Sequence, residues 1–330
     1  MTIIGIDVSK DKLDCAWLSD GVASKVKNKV FPNTPAGHHQ LLAWAVKQSQ
    51  APLEALPVVM EATGIYHEAV AYALHQAGAW VAIVNPAKIH AYSKSLGVRS
   101  KTDKKDSVII ARYGYSHQPR QWQPEPEAIR SLKALISRLE ALDKDIQREK
   151  NRLEKAQIAQ SSVEVLDSIQ TVLQQLQSER QRIEDLINRH IDQHPTLKQD
   201  RQLLESIPGI GPILSRLMIT LLHSHAFESA PQCAAFVGLV PCHHESGSSV
   251  RGRSRLSKTG NPVFRAKLYM AAVVSIQHNP DIKRHYERLL KKGKARMCAL
   301  GAAMRKLVHI CFGVIKHQQP YRPQAACVQA

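Results

Sequence analysis

Four carboxylates are spaced for metal chemistry. Asp7 ends the apolar run Ile3-Ile4-Gly5-Ile6, and Glu61 ends a second run, Leu56-Pro57-Val58-Val59-Met60. Asp103 and Asp106 stand three apart in Lys101-Thr102-Asp103-Lys104-Lys105-Asp106, which leads into the helical pattern Ser107 to Arg112 with Thr102 suited to its N-cap. That spacing puts both acids on one helix face. Carboxylates that converge from separate elements repel one another and need a divalent cation between them, and hard oxygen ligands select Mg2+ or Mn2+. Two such ions about 4 Å apart stabilise the attacking and the leaving oxygen of a phosphodiester transfer. Taken singly, the same residues are strand-end turn residues and acids placed for the helix macrodipole. Spacing alone leaves both readings open.

A second chemical stretch lies far downstream, from Glu245 to Pro262. It holds Ser246, Ser248 and Ser249 among glycines, and four cations in eight positions: Arg251, Arg253, Arg255 and Lys258. Guanidinium forks pair with phosphates, and glycine allows close backbone approach. A serine there can serve as a nucleophile; equally, the stretch can be a solvated basic loop. Further upstream, Ile207-Pro208-Gly209-Ile210-Gly211-Pro212 reads as helix, tight turn, helix. The Gly209 and Gly211 pair is the pattern of a helix-hairpin-helix, whose turn amides and following helix N-terminus accept a phosphate without reading bases. A plain turn between two helices is the alternative.

Charge points to the same kind of partner. The chain of 330 residues carries a net +17, with a pI near 9.7. Residues 201–330 hold 19 Lys/Arg against 5 Asp/Glu, so +14 of the +17 falls there. A polyanion, most often nucleic acid, fits such a footprint. No long apolar span or lipidation signal argues for a membrane, and the strand-like start Thr2 to Ile6 is expected to leave no room for a signal peptide. The six cysteines are scattered without C-x-x-C spacing and read as reduced cytosolic thiols. Cys242-His243-His244 lacks a second ligand pair and is not read as a zinc site.

Several elements must position these residues. Lys12 to Leu18 partly alternates as a strand, Gly37 to Gln48 has a helical apolar face, a helix carries Tyr66, Val70 and Leu74, and Trp80 to Val84 is one more strand. Strands alternating with helices predict an α/β sheet domain over residues 1–120. Pro119, Pro124 and Pro126 mark a linker; beyond it, apolar residues from Ile129 to Leu153 and from Leu166 to Ile187 recur at helical spacing. These predict two long amphipathic helices over 121–200, a coiled-coil hairpin or dimerising arm. Residues 201–330 read as a mainly α domain: a short apolar helix from Gln232 to Leu239, the serine loop, a helix after Pro262, a cationic run from Lys283 to Arg296, and an apolar helix from Met297 to Ile315.

Ile4-Gly5-Ile6-Asp7, Glu61-Ala62-Thr63-Gly64 and the Asp103/Asp106 motif together resemble the DEDD signature of the RuvC-like insertion-sequence transposases, a family that includes the Piv-type DNA invertases. Ile207 to Gly211, Phe236-Val237-Gly238-Leu239 and Glu245 to Ser249 resemble the C-terminal transposase domain of the same family. The resemblance covers nearly the whole chain in family order and implies an RNase H-like, RuvC-like first domain, then a coiled-coil segment, then a helical transposase domain. It implies that Asp7, Glu61, Asp103 and Asp106 bind catalytic Mg2+ or Mn2+ and that Ser246 is the nucleophile. It further implies double-stranded donor and target DNA as partners, and a structured bridge RNA that reads both by base pairing. A homo-oligomer, dimer or tetramer, at the nucleoid in the bacterial cytoplasm completes the expectation. A junction nuclease that uses the same acids with water, and a non-enzymatic basic DNA-organising protein, are the rival readings.

Overall fold

The computed structural model describes residues 2–19, 25–49, 52–97, 103–242, 245–246, 250–251, 255–257 and 259–324. Thr102, Ser248, Ser249, Arg253 and Lys258, singled out above, lie outside them, and at Ser246, Arg251 and Arg255 the description stops at the backbone. The chain divides into two compact units, Met1–Pro124 and Glu125–Ala330; the boundaries expected from composition were 120 and 200.

The first unit is built on strands β1 (Ile3–Val8), β2 (Lys12–Leu18), β3 (Val26–Pro32), β4 (Pro57–Glu61) and β5 (Trp80–Val84). Their order in the sheet is β3-β2-β1-β4-β5. β1, β2 and β3 form an antiparallel meander, whereas β4 and β5 run parallel to β1. Helices α1 (Pro35–Ser49), α2 (Tyr66–Gln76), α3 (Pro86–Ser95) and α4 (Asp103–His117) complete the unit. This strand order and sense are those of the RNase H-like fold.

The central strands are apolar on both faces because both are covered. Ile4, Ile6, Val8, Val58 and Met60 share a core with Leu41 of α1 and Val70 and Leu74 of α2. Ile3 and Val59, of opposite parity, pack with Ile89 of α3 and Ile109, Ile110 and Tyr113 of α4. Two elements here had no sequence expectation. β3 is an outer strand that is exposed along most of its length, so its Lys27-Asn28-Lys29 core reads as loop; Lys27 lies over the Trp17 ring at 5.3 Å. α3 begins where Asn85 caps it, its Oδ1 accepting from the Ala87 N–H at 2.8 Å, with Pro86 opening the helix.

In the second unit, α5 (Glu127–Ile158) and α6 (Val163–Gln193) form an antiparallel helical hairpin. Arg180 meets Asp143 at 2.7 Å, and His190 meets the Ala128 carbonyl at 2.7 Å. α7 (Pro195–Glu205), α8 (Pro212–Ser224), α9 (Ala230–Phe236), α10 (Pro262–His278), α11 (Pro280–Lys291) and α12 (Arg296–His317) follow. The base of the hairpin is part of this unit's core: Ile129, Leu132, Ile187 and Ile191 cluster with Leu204, Leu268, Leu307 and Cys311. Its far end is not, since Ile158 and Val163 are each 77% exposed. α12 meets the length and hydropathy of a membrane span, but half of that window is buried, with Ala303, Leu307, Val308 and Cys311 in the core. The five described cysteines are free.

Candidate catalytic site

The placement of the acids starts with glycine. α4 lies directly on β1 because Gly5 has no side chain: a Cβ there would collide with the Ser107 carbonyl and the Ala111 backbone, 2.8 Å from the Ala111 Cα. A Cβ on Gly114 would stand 2.7 Å from Ile3 Cδ1 and 2.7 Å from Val59 Cγ2. These two close approaches fix the direction of α4, opposite to β1. From Gly5 to Asp7 the strand advances about 6.6 Å, and from the Ser107/Ala111 seat back to the two acids the helix rises about 6.8 Å. The first turn of α4 therefore arrives at the end of β1.

There the side chains meet. Asp7, Asp103 and Asp106 each offer a carboxylate oxygen, and the three oxygens lie within 4.8 Å of one another. It is the metal-capable group found among the described residues. Glu61 stands outside that group but at the same sheet end. The β1–β4 register pairs Ile6 with Met60, so the next positions are Asp7 and Glu61, on the parity of Ile3 and Val59 that faces α4. Burial, and then the charges of Asp106, Asp103, Glu61 and Asp14, raise the Asp7 carboxyl to about 6 from an ordinary 3.8. Burial weighs most in that shift, and the neighbouring carboxylates add to it. Hard oxygens in this number suit a divalent ion such as Mg2+ or Mn2+.

Sequence reading overlooked two residues here. Asp14 lies directly across β1–β2 from Asp7 and is 7% exposed, which makes it a fifth acid on the same face. Lys12 reaches from β2 to both sides, with Nζ 2.7 Å from Asp103 Oδ2 and 3.1 Å from Asp14 Oδ2. Those hydrogen bonds, to Asp103 first and Asp14 second, hold the ammonium above the usual lysine range. Period-two alternation from Asp7 through the β1–β2 turn is the signal that was available.

The serine stretch is more structured than a loop. β6 (Pro241–Cys242) pairs with β9 (Arg255–Leu256), and inside that ladder β7 (Glu245–Ser246) pairs with β8 (Val250–Arg251). Ser246 thus sits on a strand, opposite Val250. Its base is braced by Arg265 of α10, whose guanidinium donates to the Gly260 carbonyl at 2.5 Å and the Val237 carbonyl at 3.4 Å. Phe236-Val237-Gly238 therefore serves as a foundation: Gly238 takes φ +81° against Gly260 and Thr259.

The α7–turn–α8 segment is helix, tight turn, helix as expected, with its two glycines differently employed. Gly209 (φ +99°) packs on α10, where a Cβ would run into Ser275, 3.0 Å from its Cβ, and Ser275 Oγ donates to the Pro208 carbonyl at 3.1 Å. That side of Gly209 faces protein. Gly211, the α8 N-cap, has nothing within 4 Å of where its Cβ would be, so the space beside it is open.

An RNase H-like sheet carrying clustered acids at one end defines a class, the metal-dependent enzymes of phosphodiester chemistry, and the comparisons narrow it. Residues 4–160 match the DEDD transposase model of IS110 type, and residues 201–287 match the model described as "Transposase IS116/IS110/IS902 family". The chain is 34% identical over 322 residues to the "Pilin gene-inverting protein" of Moraxella bovis, covering 97% of each. It is 30% identical over 130 residues to the "Transposase for insertion sequence element IS1111A" of Coxiella burnetii, 38% of this chain and 35% of that one. Among solved structures it is similar to Thermus thermophilus RuvC in complex with a Holliday junction substrate, with 17% identity over 37% of this chain and all of that one, at a TM-score of 0.28. The fold assignment stands on the strand order. The chain belongs to the IS110-type DEDD transposase family, whose members, transposases and DNA invertases, are enzymes that cut and rejoin DNA.

Proposed function

We propose that this protein recombines DNA by transient attachment of a strand to Ser246, with Asp7, Glu61, Asp103 and Asp106 holding divalent metal, Mg2+ or Mn2+, and a structured guide RNA selecting donor and target. The observation that carries the reading is the convergence of Asp7, Asp103 and Asp106 within 4.8 Å. When bound, the ions would lower the pKa of the attacking hydroxyl and stabilise the leaving oxygen. Ser246 Oγ gives up its proton and bonds to phosphorus. The P–O3′ bond breaks, and the freed 3′ oxygen takes a proton. A second 3′ hydroxyl then attacks the phosphoserine, the P–Oγ bond breaks, and serine recovers its proton. One phosphoester is exchanged for another, so no ATP is required.

Cations support the binding side of the proposal. Arg251, Arg253, Arg255 and Lys258 flank Ser246 in sequence, and from Lys283 to Lys306 nine Lys/Arg are set against the single acid Glu287. Gly209 and Gly211 shape the turn whose amides precede α8, with Gly211 the nearer to a phosphate. The far end of the α5–α6 hairpin, where Ile158, Val163, Val165 and Val172 are exposed, suits self-association into a dimer or tetramer through a coiled coil. Base pairing by RNA would relieve side chains of reading sequence.

The test is a trapped protein–DNA adduct formed with flanking DNA, the RNA encoded beside the gene, and Mg2+. Peptide mapping should place the nucleotide on Ser246, and Ser246→Ala should lose the adduct while Ser248→Ala and Ser249→Ala retain at least part of it. A nucleotide on another residue refutes the serine assignment. Mg2+-dependent cutting by Ser246→Ala favours a water-using junction nuclease, and absence of cutting in the wild type favours a DNA-organising protein.

A further inference from the structure

Lys12 places a cation on the acids of the catalytic face, and its surroundings are built to keep it there. The β1–β2 turn is closed by Ser9, whose Oγ donates to the Lys12 carbonyl at 2.9 Å and accepts from the Lys12 N–H at 3.2 Å. Asn33 holds the same turn, Nδ2 donating to the Ser9 carbonyl at 3.0 Å and the Asn33 N–H to the Asp11 carbonyl at 3.0 Å. The anchor at the other end of the side chain is Asp14, fixed within the sheet with its side chain only 10% exposed. From that base Lys12 Nζ reaches Asp103 at 2.7 Å, an acid 56% exposed at the first residue of α4.

We infer that Lys12 is a positioning residue that holds Asp103 against the sheet in the metal-free protein and competes with the divalent ion for that carboxylate. The inference rests on the reading of the four acids as the metal site. An ammonium at 2.7 Å claims one oxygen of Asp103 and adds a positive charge where a dication must arrive. Its removal leaves the acids with less neutralisation and therefore with more to gain from metal. The Lys12 side chain is 46% exposed, so it can turn to solvent or to a backbone phosphate of the substrate once displaced. Asp14 then keeps it within reach, ready to return when the ion leaves. A lysine of purely structural use would hold α4 equally with and without metal.

The two roles separate in Lys12→Met, which keeps the length of the side chain and removes its charge. Titrating Mn2+ and Mg2+ into the full-length protein by calorimetry, Lys12→Met should bind roughly three- to tenfold more tightly than the wild type. Lys12→Arg should bind like the wild type. In parallel, the metal-free Tm of Lys12→Met should fall while the Tm rise on adding Mg2+ grows. An unchanged or weaker metal affinity in Lys12→Met, in a protein whose wild type binds metal and whose Asp106→Asn variant does not, overturns the role of Lys12 alone. Absence of metal binding in the wild type removes the acid reading and this inference together.

Discussion

Gly5 of β1 and Ala111 of α4 are backbone neighbours, so close that a Cβ on Gly5 would stand 2.8 Å from the Ala111 Cα. Neither residue can touch DNA or metal from this buried position, yet their approach brings Asp103 and Asp106 to Asp7. Gly5→Ala should force α4 away from the sheet and destabilise the first unit by about 1–3 kcal/mol, the usual cost of overpacking. Denaturant unfolding measures that loss, and the same variant should show a reduced Tm response to Mg2+. A variant with wild-type stability and a full metal response would mean that α4 is seated by other contacts.

Asp7→Asn should stabilise the metal-free protein. It removes the charge from the acid most crowded by its neighbours, and repulsion among carboxylates is relieved in the folded state alone. The gain expected in Tm is roughly 2–4 °C, in EDTA. With Mg2+ present the order should reverse, because the variant has lost a ligand. A lower Tm for Asp7→Asn in EDTA would show that the Asp7 carboxylate is a structural acceptor.

The same raised carboxyl gives a pH signature. Asp7 titrates at about 6 when folded and near 3.8 as its ordinary value, so between those limits the folded protein binds more protons than the unfolded one. Stability from this group is fully present below about pH 4 and is lost as pH rises through 6. In EDTA, the Tm of the wild type should therefore fall relative to Asp7→Asn as pH is raised from 4 to 6. Parallel curves for the two proteins would contradict the shift. In Mg2+, protons and metal compete for the carboxylates, and metal binding should strengthen over the same interval.

Charge on the serine hairpin is tested by salt. Replacing Arg251, Arg253 and Arg255 together by alanine should lower the slope of log K against log salt by about 0.9 for each duplex phosphate that is no longer neutralised. Filter binding or anisotropy across a salt series reads the slope. An unchanged slope would make these arginines solvent-facing charges only.

Asp200 offers a control in the second unit. It is 1% exposed and accepts from His223 Nε2 at 2.6 Å and Gln318 Nε2 at 2.9 Å, tying α7 to α8 and to the end of α12. Asp200→Ala takes the acceptor from His223 Nε2 and leaves Gln318 Nε2 with the Ile315 carbonyl alone, and should cost about 2–4 kcal/mol. Metal binding by the first unit should be unaffected, as calorimetry on the folded variant would report.

The legible parts of this chain were those whose side chains state their surroundings. β1, β4 and β5 are apolar runs, and the strand-end positions of Asp7 and Glu61 follow from where those runs stop. The amphipathic period of α5 and α6 gave their existence, but not that the base of their hairpin would join the core around Leu307 and Cys311. β3 was hidden because an outer strand has little apolar face to show. Lys12 and Asp14 were passed over because a charged residue on a strand looks solvent-facing until the opposite helix is in place. Nor does a glycine such as Gly5 announce which backbone will rest on it. The ladder at Ser246 was masked by a composition that reads as flexible.

The seat of α4 on Gly5 has one more consequence. In the proposed reading, the groups that cut DNA ride on a helix whose position is set by core packing, so catalytic geometry and folding fail together. A chain damaged at this seat would lose its stability and its acid cluster in one step, and would not persist as a folded enzyme with loosely placed acids.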